Sequence, residues 1–261
     1  MYRPLKKGWH QHAPSDRQDR PGDRRQPGIG RAIALRLARD GARVGVHYGS
    51  RAEGAEQTVR QIAEAGGEAF AVSAMLGVTG DASQLWQAFD GHADGLDILV
   101  NNAGILGGRI AFDELTESTY DEIFAVNTRA PVFITQQGLS RIRDNGRIVN
   151  ISTRFTHGSR IPELLAYAMS KAALDSFTAT LAKHVAPRGI TVNAVGPGST
   201  DTDMNAARLA SVEGRAAVAA QSPFNRVATP ADVADIVAFL ASEDSRWVTG
   251  QWVDASGGSM L

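Results

Sequence analysis

The 261-residue chain has no cysteine. That excludes disulfides, thiolate metal sites and a cysteine nucleophile, and it fits a cytoplasmic enzyme. No apolar run approaches the length that spans a bilayer, so no membrane partner is expected. Met1–Pro27 is basic and polar but lacks the hydrophobic stretch of a secretory signal. Net charge is also nearly absent, formally −1 at pH 7, which leaves no electrostatic footprint for nucleic acid. The six histidines show no metal-ligand spacing, and no metal site is expected. The length suits one large α/β domain or two small ones, and ordinary apolar and charged fractions support a globular core.

From Gly28 onward, helix and strand patterns alternate. Arg31–Asp40 carries Ile33, Ala34, Leu37 and Ala38 at helical spacing and stops at Gly41. Strands are expected over 42–48, 68–74, 96–100, 147–152, 190–195 and 248–254. Helices are expected over 53–65, 81–93, 118–143, up to Val185, and over 230–241, the last with an early proline. Leu96–Val100 is almost continuously apolar, as in a strand covered on both faces. This order predicts an α/β fold: a doubly wound, Rossmann-type parallel sheet in a single domain. Ligands in such sheets bind beyond the carboxyl ends of the strands.

The chemistry-bearing residues fall at those ends. Tyr167 and Lys171 are four apart in a helical segment, so phenol and ammonium share a face. A cation beside a tyrosine favours the phenolate, and a tyrosine tuned toward neutrality can pass a proton to or from a carbinol or carbonyl oxygen. Gly28-Ile29-Gly30 opens the first helix, where small residues and free amides suit a phosphate. Asn101-Asn102-Ala103-Gly104 follows an apolar strand. Asn127 is a helical asparagine that needs a partner. Ser152-Thr153 ends another strand, where a hydroxyl can donate to a developing oxyanion. Pro197-Gly198 begins a turn that reaches Thr202.

Jointly, Asn101–Gly104, Asn127, Ser152-Thr153, Tyr167 with Lys171, and Pro197-Gly198 resemble the short-chain dehydrogenase/reductase family, in particular its 3-oxoacyl-carrier-protein-reductase-like members. The likeness runs from Gly28 to Leu261. It implies an oxidoreductase that moves a hydride between a nicotinamide cofactor and a carbonyl or alcohol substrate. Tyr167 would be the general acid/base. Lys171 would lower its pKa and bind the nicotinamide ribose. Ser152 or Thr153 would polarise the substrate oxygen: Thr153 holds the position by strand register, Ser152 is the alternative. Asn127 would hold a water in a proton relay. Gly28, Ile29, Gly30, Asn101, Ala103, Gly104, Pro197, Gly198 and Thr202 would contact the cofactor, with Thr202 at the carboxamide. The resemblance further implies a homotetramer or homodimer. After Tyr48 come Gly49, Ser50 and Arg51, with no carboxylate before Glu53; that pattern favours NADP over NAD.

The chain departs from the family at Met75, where an aspartate usually grips the adenine, and at its N-terminus. The family opens on a buried strand and a glycine loop. Here residues 19–27 have no apolar alternation, Pro21 would remove a ladder donor, and Arg24 stands where a glycine approaches the phosphates. Without that strand, two central edges would go unpaired. A synonymous coding of Arg17–Pro27, read one base later, gives Gly-Lys-Thr-Ala-Leu-Val-Thr-Gly-Ala-Ser, the missing strand and loop. Residues 1–27 thus read as an aberrant, poorly ordered, frameshifted segment ahead of an oxidoreductase domain at 28–261. The damage also motivates a competing reading, a cofactor-impaired relative acting as an oligomeric scaffold or partner-binding protein.

Overall fold

The computed structural model describes residues 9–10, 28–158 and 161–261. Seven parallel strands form one sheet in the order β3-β2-β1-β4-β5-β6-β7. They are β1 (Trp9–His10), β2 (Val44–Tyr48), β3 (Ala69–Ser73), β4 (Leu96–Asn101), β5 (Ile142–Ile151), β6 (Thr191–Pro197) and β7 (Trp252–Ala255). The helices are α1 (Ile29–Arg39), α2 (Ala52–Glu64), α3 (Asp81–Asp90), α4 (Glu117–Phe124), α5 (Ala130–Gly138), α6 (Leu165–Val185), α7 (Val212–Ala219) and α8 (Pro230–Ala241). The strand order reverses between β1 and β4, which opens a crevice at the carboxyl edge of the sheet.

Both faces of the sheet are covered, so its strands are apolar almost throughout. On one side Ile33 and Leu37 of α1 and Val233 and Val237 of α8 pack with Val46, Ile98, Val100 and Val149. On the other, Leu85, Trp86, Phe89 and Ile134 pack with Leu99, Ile148 and Val192. The pairing of β4 with β5 shifts register between Leu96 and Ile98. Leu96 consequently joins Leu99 in the second cluster, against the strict alternation of a regular strand. Helix α8 begins as its sequence indicates, with Pro230 in the first turn and a capping box between Thr229 and Asp232.

Two expectations require correction. The helix expected over 118–143 is three elements: α4, a π-helical turn at Ala125–Arg129, and α5, which ends at Gly138. The Trp86 indole packs against Gly138 where a Cβ would stand, and its Nε1 donates to the Ile134 carbonyl at 2.9 Å. The chain then enters β5 at Ile142. The central strand slot is also filled. Trp9–His10 lies between β2 and β4, with His10 opposite Val46, and Trp9 and His10 opposite Leu99 and Val100. Backbone hydrogen bonding depends little on side-chain identity, so a short unrelated segment can cap these edges. The stretch 19–27, with its degraded glycine loop, lies outside the described residues.

Candidate active site

Because every strand is parallel, the segments that follow β2, β4, β5 and β6 emerge on one edge of the sheet, together with the start of α1. Gly28 caps α1 with extended backbone and no side-chain hydrogen bond, followed by Ile29 and Gly30. Ser50 and Arg51 follow β2, and Arg51 is the N-cap of α2. Ala103 and Gly104 follow β4. Pro197 ends β6, and the Gly198 amide donates to the Ala255 carbonyl at 3.3 Å. A Cβ on Gly198 would stand 2.9 Å from Ser256 Cα, so only glycine permits this approach. The Thr202 hydroxyl donates to the Thr200 carbonyl at 3.4 Å.

Asn101 behaves differently from its neighbours. Its Nδ2 donates to Thr135 Oγ1 at 3.1 Å and to Asn150 Oδ1 at 2.8 Å. Asn150 in turn donates to Thr178 Oγ1 at 2.8 Å. This buried chain ties β4 and β5 to α6, the helix that carries Tyr167 and Lys171. The side-chain nitrogen of Asn101 is therefore spent on scaffolding, while its Oδ1 is buried without a hydrogen-bond partner among the described residues. Asn150 was not anticipated; the signal was an amide inside an otherwise apolar strand.

Asn127 sits in the π-helical turn and is fully buried. Its Oδ1 accepts from the Ile105 amide at 2.8 Å, and its Nδ2 donates to the Ile105 carbonyl at 2.9 Å and to Ser170 Oγ at 3.0 Å. Such turns recur at functional sites because they displace one residue from the regular ladder. Here the displaced residue clamps the loop after β4 onto α6. A Cβ on Gly104 would lie 3.1 Å from Lys171 Nζ and 3.2 Å from Asn127 Oδ1. The missing side chain thus leaves a small hollow flanked by an amine and an amide.

Thr153 and Ser152 face different partners. The Thr153 hydroxyl lies beside the Tyr167 phenol. Ser152 Oγ is buried without a hydrogen-bond partner among the described residues and lies beside the Asp175 carboxyl. Of the two alternatives, Thr153 is the hydroxyl at the tyrosine.

Electrostatics differ from expectation. Burial pushes the Tyr167 phenol up to about 12, opposed by the Thr153 hydroxyl beside it. Burial pushes Lys171 down to about 8, opposed by the charge of Asp175. Both groups have left water, which penalises each charged form, and Lys171 Nζ donates to the Ile151 carbonyl at 2.8 Å. Arg154 is another unanticipated member. Its buried guanidinium donates to Ser259 Oγ at 2.9 Å and to Gln221 Oε1 at 2.8 Å, joining the C-terminal segment and the stretch after α7 to the end of β5.

A mainly apolar recess adjoins Tyr167, lined by Leu106, Ile110, Phe112, Leu115 and Leu164 and by the acidic Glu163. Phe112, Val212 and Phe224 are largely exposed. No described helix is long and apolar enough to cross a membrane.

A sequence profile of the enoyl-(acyl carrier protein) reductase family matches residues 22–260. The hydroxynaphthalene reductase-like protein Arp2 of Metarhizium brunneum is 40% identical over 244 residues, covering 89% of this chain and 91% of its own length. Among solved structures, the promiscuous reductase LugOII, which catalyses keto-reduction at C1 during lugdunomycin biosynthesis, is 42% identical. It covers 99% of this chain and 100% of its own, with a TM-score of 0.89. The landomycin C-6 ketoreductase LanV, crystallised with NADP and rabelomycin, is 40% identical. It covers 98% of this chain and 99% of its own, with a TM-score of 0.83.

Proposed function

The chain belongs to the short-chain dehydrogenase/reductase family, and we propose that it is an NADP-dependent ketoreductase whose substrate is an apolar, polycyclic aromatic ketone. One observation carries the reading. The Tyr167 phenol lies beside the Thr153 hydroxyl and lines a recess, with Lys171 one helical turn away.

The residues present fit a dinucleotide. The hollow at Gly104, between Lys171 Nζ and Asn127 Oδ1, would be filled by any side chain. The uncapped start of α1 at Gly28 offers amides to an anion. Ile29 and Gly30 would continue that contact, and Ser50 and Arg51 would meet the 2′-phosphate. The backbone of Asn101, with Ala103 and Gly104, would line the adenosine side. Lys171 and Tyr167 would hold the nicotinamide ribose, and Pro197, Gly198 and Thr202 the ring and carboxamide. When bound, NADPH supplies the hydride.

The protein supplies the proton and the geometry. Tyr167, neutral at physiological pH, donates its proton to the oxygen that becomes the alcohol. Thr153 shares that oxygen as a second donor, stabilising the charge that develops on it. Lys171 refills the tyrosine, and Asn127 holds the loop after β4 against the lysine. The recess favours apolar surface, and a relative named for hydroxynaphthalene reduction and one crystallised with rabelomycin support that substrate class. We take residues 28–261 as the oxidoreductase domain, acting in the cytoplasm as a homotetramer or homodimer.

The test follows NADPH consumption with a panel of bicyclic to tetracyclic aromatic ketones beside a 3-oxoacyl thioester. Saturable turnover of the aromatic ketones is expected. Tyr167→Phe should then reduce kcat by about 100-fold or more while the circular-dichroism spectrum is unchanged. Undiminished turnover in that variant overturns the mechanism, and a preference for the thioester overturns the substrate class.

A further inference from the structure

Helix α6 carries a third ionisable residue in the buried environment of Tyr167 and Lys171. Asp175 stands four residues past Lys171, the spacing at which helical side chains are neighbours. Its side chain is 11% exposed. Both carboxylate oxygens are buried, and neither has a hydrogen-bond partner among the described residues. A carboxylate in that state is costly unless another charge compensates it.

Its surroundings are few. From α6 itself, Lys171 acts on it as a positive charge. Burial raises the Asp175 pKa on balance; against it, from the end of β5 and the turn that follows, come the hydroxyls of Ser152 and Thr156, which favour its ionised form. The only other ionisable group facing it among the described residues is His157, whose Nδ1 is 3.7 Å from Asp175 Oδ2. His157 is half-exposed, stacks on Trp252 with centroids 4.2 Å apart, and shares a 2.8 Å hydrogen bond with Thr156 Oγ1. Around Lys171, the ionisable neighbours are Tyr167 and Asp175, and its direct hydrogen bond goes to the uncharged Ile151 carbonyl. The lysine therefore has one anion near it, and that anion has one buried cation.

We propose that Asp175 is a positioning residue: its carboxylate is the counter-charge that keeps the buried Lys171 amine protonated, with the hydroxyls of Ser152 and Thr156 favouring the ionised carboxylate. The role assigned to Ser152 follows: it serves the lysine through Asp175, whereas Thr153 serves the tyrosine. The direction of the electrostatics agrees, since the Asp175 charge raises the affinity of Lys171 for its proton against the effect of burial. The catalytic meaning of this device rests on the ketoreductase reading; the coupling of the two charges does not.

The experiment reads Lys171 directly. The chain has four lysines, so 13Cε-lysine labelling gives few signals, and Lys171→Met assigns the one of interest. The pH titration of that signal is recorded for the parent protein, for Asp175→Asn and for Asp175→Glu. In Asp175→Asn the midpoint should fall by about one unit, the scale of an opposite charge removed from close range. In Asp175→Glu, which keeps the charge, it should stay near the parent value. Should the asparagine variant fail to fold, Asp175→Ser carries the same expectation. An unchanged midpoint in the neutral variant overturns the proposal, as does an equal fall in Asp175→Glu. Because the readout needs no turnover, a fall in a protein that reduces no ketone would sink the ketoreductase reading and leave the charge coupling standing.

Discussion

The hydroxyl of Thr153 faces the phenol of Tyr167 and favours its ionised form against burial. Its immediate predecessor, Ser152, is buried beside Asp175 instead. Successive side chains of extended backbone diverge, so two adjacent hydroxyls at the end of β5 serve different groups on α6.

This division has a measurable consequence. Thr153→Val keeps the shape and removes the hydroxyl. It should lower kcat by about 100-fold, the scale of a lost oxyanion donor, and it should raise the Tyr167 pKa further, because the hydroxyl it deletes opposes burial. Ser152→Ala should leave the tyrosine titration where it is. Ultraviolet titration of the phenol together with steady-state kinetics distinguishes them, and the reverse ranking would reassign the catalytic hydroxyl to Ser152.

Lys171 also predicts a stability profile. Its pKa is about 8 in the folded chain against 10.5 when solvated. Between these values the unfolded chain holds the extra proton, so stability rises with pH across that window. Tyr167 acts oppositely. Its pKa is about 12 folded against 10.0, so the folded chain holds the extra proton and stability falls from pH 10 to 12. Lys171→Met should remove this dependence: the gain in unfolding free energy that the parent shows between pH 8 and 10.5 should be absent from the variant, so the difference between the two proteins should change across that window. Urea unfolding of both proteins across pH measures it; a constant difference would refute the buried amine.

Asn127 predicts a structural loss. Asn127→Ala strands the Ile105 amide and carbonyl, both of which it satisfies. Unfolding free energy should drop by about 1–3 kcal/mol. Amide exchange should quicken specifically at Ile105 and its neighbours. Unchanged protection there would mean that the loop after β4 is held by something else.

The central strand supplies the last prediction. β1 contributes two residues between β2 and β4, which are five and six residues long. Replacing Arg17–Pro27 with the alternative-frame sequence, ending in one added residue before Gly28, should lengthen that pairing and supply a glycine loop to α1. Denaturation midpoint and NADPH affinity should both increase, read by thermal melts and fluorescence titration. Loss of folding, or no gain in affinity, would refute the frameshift account of the segment.

Much of this molecule could be read locally. Alternating periodicities give the parallel α/β sheet, Pro230 marks the start of α8, and the spacing of Tyr167 and Lys171 puts both on one buried helix face, because these follow from residues a few positions apart. Other features needed distant parts of the chain. Trp86 packs against Gly138, where the helix ends, and Ile105 engages Asn127 from across a loop. Trp9–His10 fills a strand slot that its own side chains do not advertise. The sign of the tyrosine shift belongs here too. Proximity to an ammonium predicts acidification, but burial is created by the whole fold, and loss of water outweighs the Thr153 hydroxyl that opposes it.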